Sequence, residues 1–93
     1  MSTVHVKKCE PDSFEAVRDG LKPFEWRRED DCTYSAGDTL ILMEHRAYPG
    51  LGKPAGYTGE SFKRKITYVL RGKYGMPDGY VVLGLEMPPR TTR

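Results

Sequence analysis

Ninety-three residues, 38% hydrophobic and 30% charged, with a formal net charge of +2, are enough for one small domain and contain no apolar run able to span a membrane as a helix. Two isolated cysteines and two distant histidines, without CxxC, HxH or HExxH spacing, exclude a recognisable zinc motif. Residues 1–46 carry seven Lys and Arg against ten Asp and Glu, and residues 47–93 carry eight against three, so the second half is the basic one.

The start, Met1-Ser2-Thr3-Val4-His5, has neither a basic flank nor an apolar stretch; no secretory leader is expected and the cytoplasm is the expected compartment. There Cys9 and Cys32 read as buried thiols rather than a disulfide. Val4 to Lys8 alternates apolar and polar residues and predicts a first strand. Pro11-Asp12-Ser13 opens a helix over residues 11–20, with Phe14 and Val17 as its apolar stripe and Gly20 as its stop. Phe24 to Arg27 is a second strand that interleaves aromatics with charges. Its period of two puts Phe24 and Trp26 on one face, read as core, and Glu25 and Arg27 on the other, read as a polar site. A polar connection with the acidic run Glu29-Asp30-Asp31 leads to the turn Gly37-Asp38 and the most apolar strand, Thr39 to Glu44. Ala47 to Gly56, with three Gly and two Pro, is a flexible loop or lid. Phe62 to Leu70 is the fourth strand, with Phe62, Arg64, Ile66, Tyr68 and Leu70 sharing one parity; Tyr80 to Glu86 is the last. Residues 1–86 form the domain and residues 87–93 a flexible tail. Five strands and one early helix, without βα alternation, give an α+β, mainly β fold: a small mixed barrel-like sheet with a helix against one end.

Four motifs in order carry a family resemblance. Gly20-x-Lys22, then Glu25-x-Arg27, then Ala36-Gly37-Asp38-Thr39-Leu40 before a hydrophobic strand, with Tyr57-Thr58-Gly59 further on, resembles the ASCH domains of the PUA-like superfamily. The likeness extends through Ile66 to Leu70 and Gly79 to Leu83, and is closest to the small ASCH-related proteins of bacteriophages and bacteria. It implies a compact β-barrel with a cleft at the helix–strand junction and a function in binding RNA, a nucleotide or a modified nucleoside. It also implies two alternatives: a nucleoside or RNA hydrolase, and an accessory protein that binds a host protein. In the related acetylcytidine amidohydrolases a cleft lysine, matched by Lys22, works with a threonine nucleophile. That threonine's position falls on Glu25, so the mechanism does not carry over and the expected role is binding rather than catalysis.

Each candidate residue has a plain reading beside its functional one. Lys22 holds a phosphate, polarises a carbonyl or acts as a base; otherwise it is a surface lysine at a helix C-terminus. Glu25 and Arg27, about 6–7 Å apart on a strand, are either a structural ion pair or a site that accepts a base amino group and donates to an oxygen. Glu44 is an exposed strand end or a buried partner for Lys22 or Arg27, and Glu60 is an alternative supporting carboxylate. Tyr57 stacks on a base or packs its own loop. Lys63 and Lys65 lie on the face opposite Arg64 and form either a nucleic-acid backbone track or a solvated face. No metal and no cofactor are expected, and the assembly expected is a monomer or a small homo-oligomer.

Overall fold

A computed structural model describes residues 2–30 and 32–87, so Asp31 and most of the expected tail lie outside the described residues. The elements run β1 (Val4–Cys9), α1 (Pro11–Arg18), β2 (Phe24–Arg28), β3 (Thr39–Arg46), β4 (Gly56–Arg71) and β5 (Tyr80–Leu85). They form one mixed five-stranded sheet in the order β1-β3-β4-β5-β2. β1 runs parallel to β3, and the other three pairings are antiparallel. The chain is therefore mainly β with one short helix, as its patterning predicts. The strands β1 and β2, neighbours in sequence, stand at opposite edges of the sheet.

β4 holds the sheet together because it serves two partners. Its first part pairs with β3 from Gly56 to Lys65, and its second pairs with β5 from Ile66 to Arg71. The register shifts by one residue between Ile66 and Tyr68, and this bulge reverses which side chains face inward. Ile66 is fully buried and Tyr68 is 61% exposed. The single parity expected for Phe62 through Leu70 therefore breaks at Thr67. The Gly37-Asp38 turn is fastened at this point: the Gly37 amide donates to the Ile66 carbonyl (2.7 Å) and the Ile66 amide to the Asp38 carbonyl (2.8 Å). Gly37 sits at φ +95°, which favours glycine.

The core lies on one face of the sheet. Leu40, Leu42, Ile66, Val81, Leu83 and Leu85 line it, and α1 covers it with Phe14 and Val17. The Phe14 ring meets Phe62 at 4.8 Å, and Phe62 stands opposite Leu42 across the β3–β4 ladder. Pro11 occupies the first turn of α1, where its missing amide costs nothing. At the other end Gly20, at φ +82°, turns the chain back so that the Leu21 and Lys22 amides both donate to the Ala16 carbonyl. Lys22 is thus attached to the last turn of the helix.

β2 presents the opposite face from the one expected. Glu25 pairs with Leu83 and Arg27 with Val81, both core residues, so the charged pair faces inward. Phe24 and Trp26 face outward at 44% and 48% exposure, where the Trp26 ring meets Tyr80 at 5.7 Å. Period two defines two faces, and the register against β5 decides which one is buried.

Asp38 ties its own turn to the start of β1. Its carboxylate accepts the Thr3 amide (2.9 Å), the Ser35 amide (3.0 Å) and Nε2–H of the buried His5 (2.9 Å). The His5 hydrogen bond, with the two amides, holds its carboxyl below the usual range. Asp38→Asn presents an amide donor to one of these donors, and is expected to cost about 1–3 kcal/mol in urea unfolding at neutral pH. A depressed carboxyl contributes fully well above the unfolded value of ~3.9 and loses that contribution as pH falls through its folded value. The acid limb of the stability curve should accordingly flatten in the variant, leaving the share from Glu29, whose carboxyl Arg71 also holds low.

Candidate functional site

The chain from Lys8 to Arg27 leaves one edge strand, makes α1 and arrives at the other edge strand, enclosing a cavity of about 220 Å³ between them. Its walls include Cys9 at the end of β1, Ser13 on the first turn of α1, Lys22 after the helix stop, and Glu25 and Arg27 on β2. Helix α1 and its glycine stop place Lys22 opposite Ser13. Inward-facing β2 places Glu25 beneath both.

Glu25 is the centre of the polar group and is only 4% exposed. Its Oε2 lies 2.8 Å from Arg27 Nη2 and its Oε1 3.4 Å from Lys22 Nζ. Lys22 Nζ also donates to Ser13 Oγ. Arg27 donates in addition to the Lys8 carbonyl at 2.8 Å. This bond joins β2 to β1 through a side chain. Two cations thus share one buried carboxylate, leaving a surplus positive charge. A buried carboxylate without partners would cost several kcal/mol, so the two cations make this placement tolerable. The Nε of Arg27 is buried and has no hydrogen-bond partner. The Cys9 thiol is pushed up by burial first and by the Glu25 charge second, which keeps it a neutral, poorly nucleophilic thiol.

A second cavity of about 230 Å³ shares Lys8, Cys9, Glu10 and Arg27 with the first and adds His45 and Ala47. Arg27 stands between the two. Neither Ser13 nor His45 was picked out by sequence reasoning as part of a site. Ser13 reads as a helix-capping residue, and only the turn at Gly20 reveals its relation to Lys22.

The other candidates are placed elsewhere. Glu44 is buried on the core face, next to Cys9 in the β1–β3 register, but its partner is the Thr58 hydroxyl at 2.7 Å rather than Lys22 or Arg27. The register shift between Met43 and His45, with Gly59 at φ +95°, brings Thr58 to it. This is the structural meaning of the Tyr57-Thr58-Gly59 motif. Tyr57 is 61% exposed and packs against the His45 ring at 4.7 Å, one side chain away from the second cavity. Glu60 is exposed, and its amide donates to Thr58 Oγ1. Lys63 and Lys65 are exposed on the outer face, and Arg64 turns inward over the Phe62 ring, as the alternation predicts. Cys9 is buried and Cys32 half-buried, both as free thiols.

The segment expected as a flexible loop or lid folds back on itself. Gly50 and Lys53 exchange backbone hydrogen bonds, and the hollow of about 470 Å³ there is lined only by Pro49 through Pro54. Ala47 is the loop residue that lines the second cavity. Among the described residues no three His, Cys, Asp or Glu side chains gather as a metal site. No helix among them is long and apolar enough to cross a membrane.

The fold and pocket define a small, mainly β domain with a charged cavity between its edge strands. The model of a family described as a domain of unknown function (DUF3850) matches residues 4–85, and the chain belongs to that family. No curated protein matches the chain.

Removing the carboxylate and removing a cation should differ in cost. Glu25→Met leaves two cations facing each other and is expected to lose about 3 kcal/mol, the lower end for buried pairs because both cations keep partial access to water. Arg27→Met leaves Lys22 as a counter-charge and should cost clearly less. Urea denaturation of both variants checks this order.

Proposed function

We propose that the chain is a PUA-like, ASCH-type module whose charged cavity binds RNA, a nucleotide or a modified nucleoside. The observation that carries this reading is the inward-facing Glu25 carboxylate held between Lys22 and Arg27 on the wall of an open cavity. A carboxylate accepts from the exocyclic amino group of a base, and the two cations donate to a carbonyl or phosphate oxygen. The surplus positive charge suits an anionic ligand. About 220 Å³ lies below the ~300–1,000 Å³ of pockets for drug-sized ligands, so the cavity suits a single base or phosphate group.

The barrel expected from the resemblance accords with this arrangement, since Arg27 draws the two edges of the sheet together. The ligand set is narrower than the sequence suggests. It centres on Lys22, Glu25 and Arg27, with Ser13 and His45 added, and Glu44 supports the wall through Thr58 rather than reaching the ligand. Tyr57 acts through His45. Lys63 and Lys65, on the outer face, supply at most a general attraction for the nucleic-acid backbone.

The test is an amide NMR titration with a panel of nucleosides, acetylated and methylated forms included, and with short single-stranded RNA at low salt. Shifts are expected at Lys22 to Arg27 and at Ser13 and His45. The double variant Lys22→Ala, Arg27→Ala should weaken binding about 10- to 100-fold, which is roughly 1.4–2.8 kcal/mol. Shifts confined to Lys63 and Lys65 and abolished by salt would instead mark a non-specific electrostatic face.

A further inference from the structure

The geometry points to a second binding surface, on the sheet face that α1 leaves open: an aromatic platform on which the bases of a single-stranded nucleic acid stack while flanking cations hold its phosphates. This inference does not rest on the ligand of the charged cavity. Helix α1 covers the core face only. On the other face the adjacent strands β4, β5 and β2 bring their outward residues together through their registers. Phe24 and Tyr68 both stand opposite Gly84, one on each side, and Trp26 and Leu70 flank Val82 in the next row. Tyr80 follows, opposite Arg28. Val81, Leu83 and Leu85 are buried, so alternation turns Tyr80, Val82 and Gly84 to this outer side. Phe24, Trp26 and Tyr68 are exposed and Tyr80 is half-buried. The Trp26 and Tyr80 planes meet at 38°, a tilted pair rather than a closed stack. Gly84 adds no side chain between Phe24 and Tyr68, whose backbones are two strands or roughly 10 Å apart. Thr67 Oγ1 borders that gap, 3.2 Å from where a Cβ on Gly84 would stand. Exposed rings gathered on one face mark an interaction surface.

The charges at its margins assign the occupant. Lys63 and Lys65 are exposed on the same outer face of β4, just before the bulge that brings Tyr68 outward. Arg28 stands at one end of β2, 3.9 Å from Asp30 in a loose surface pair. At the other end Lys22 Nζ lies 5.5 Å from the Phe24 ring. Glu86, whose amide donates to the Lys65 carbonyl, is the exposed acid beside the lysines and offsets one of them. A second copy of the chain packed on this face would set like cations against one another. A polynucleotide instead brings one phosphate for each base that it stacks. Stacking uses the face of any base and the lysines reach only phosphate, so RNA and DNA strands are one occupant here. A duplex hides its base faces and is not.

Trp26 is the only tryptophan of the chain, so its fluorescence reports on the platform. The full chain is titrated at low salt with oligouridine and oligothymidine of about eight nucleotides, and with a duplex of the same length. Both single strands are expected to quench Trp26, and the duplex to bind more weakly. Trp26 also borders the cavity, so Tyr68→Ala, at an exposed position outside it, carries the assignment. That variant should stay folded by circular dichroism and bind roughly 5- to 100-fold more weakly, the range for one lost stacking contact. The double variant Lys63→Ala, Lys65→Ala should lower the steepness of log K against log salt by about 1.4, two phosphates at ~0.7 each. Absence of quenching in the wild type overturns the inference, as do equal affinity for the duplex and unchanged affinity in Tyr68→Ala. A dimer in sedimentation equilibrium that Trp26→Ser dissociates also overturns it, by giving the face to a second copy. Amide shifts at Ser13 and His45 with free nucleosides read the cavity separately, so either site can fail while the other stands.

Discussion

The change of partner along β4 is the constraint on which the rest of the structure depends. A sixteen-residue strand that pairs with β3 and then with β5 must turn between them, and one extra residue at Thr67 makes the turn. The opposite strand has to yield space. Gly84 does so: a Cβ there would stand 3.2 Å from Thr67 Oγ1. The Gly37-Asp38 corner then fastens the bend to the start of β3, and Asp38 adds the start of β1. β5 and then β2 follow β4 in the sheet order, and Arg27 on β2 donates to the Lys8 carbonyl on β1.

That path also accounts for a polar cluster on a face that is otherwise apolar. Glu25 and Arg27 lie in register with Leu83 and Val81, positions that favour hydrophobic packing. A well-packed apolar pair of similar volume would often be as stable or more so. The polar cluster instead gives the open side of the core a fixed arrangement of donors and acceptors, with Glu25 held by both Lys22 and Arg27 and Arg27 tied in turn to the Lys8 carbonyl. The outward face of β2 carries the aromatics that the core does not take.

Much of the architecture is legible in the chain. Pro11 and Gly20 bracket the helix, alternation finds the five strands, and Gly37-Asp38 marks the turn that the structure fastens with six hydrogen bonds to its backbone and carboxylate. The pairing of Glu25 with Arg27 is also foreseeable from their spacing, whereas the contact of Lys22 with Glu25 is not, since Glu44 is the carboxylate expected beside it. What stays hidden is what depends on register. Alternation separates Phe24 and Trp26 from Glu25 and Arg27 but cannot say which pair faces in, because β5, far along the chain, decides that. Bulges have the same effect: Thr67 reverses Tyr68, and the irregularity at Gly59 gives Glu44 to Thr58. Ser13 is hidden for a different reason. Its contact with Lys22 depends on a turn that brings a residue nine positions later back to it.

The bond between Arg27 and the Lys8 carbonyl has a consequence for how the protein is made. Every wall of the first cavity comes from the opening third of the chain, residues 8 to 27. Yet those walls meet only because β2 is paired to β5, whose last residues are among the final ones of the sheet. During synthesis the cavity's own residues leave the ribosome early and wait, unable to assemble, until about residue 85 has followed. The cavity is local in sequence and global in folding, so its presence reports that the whole sheet is complete.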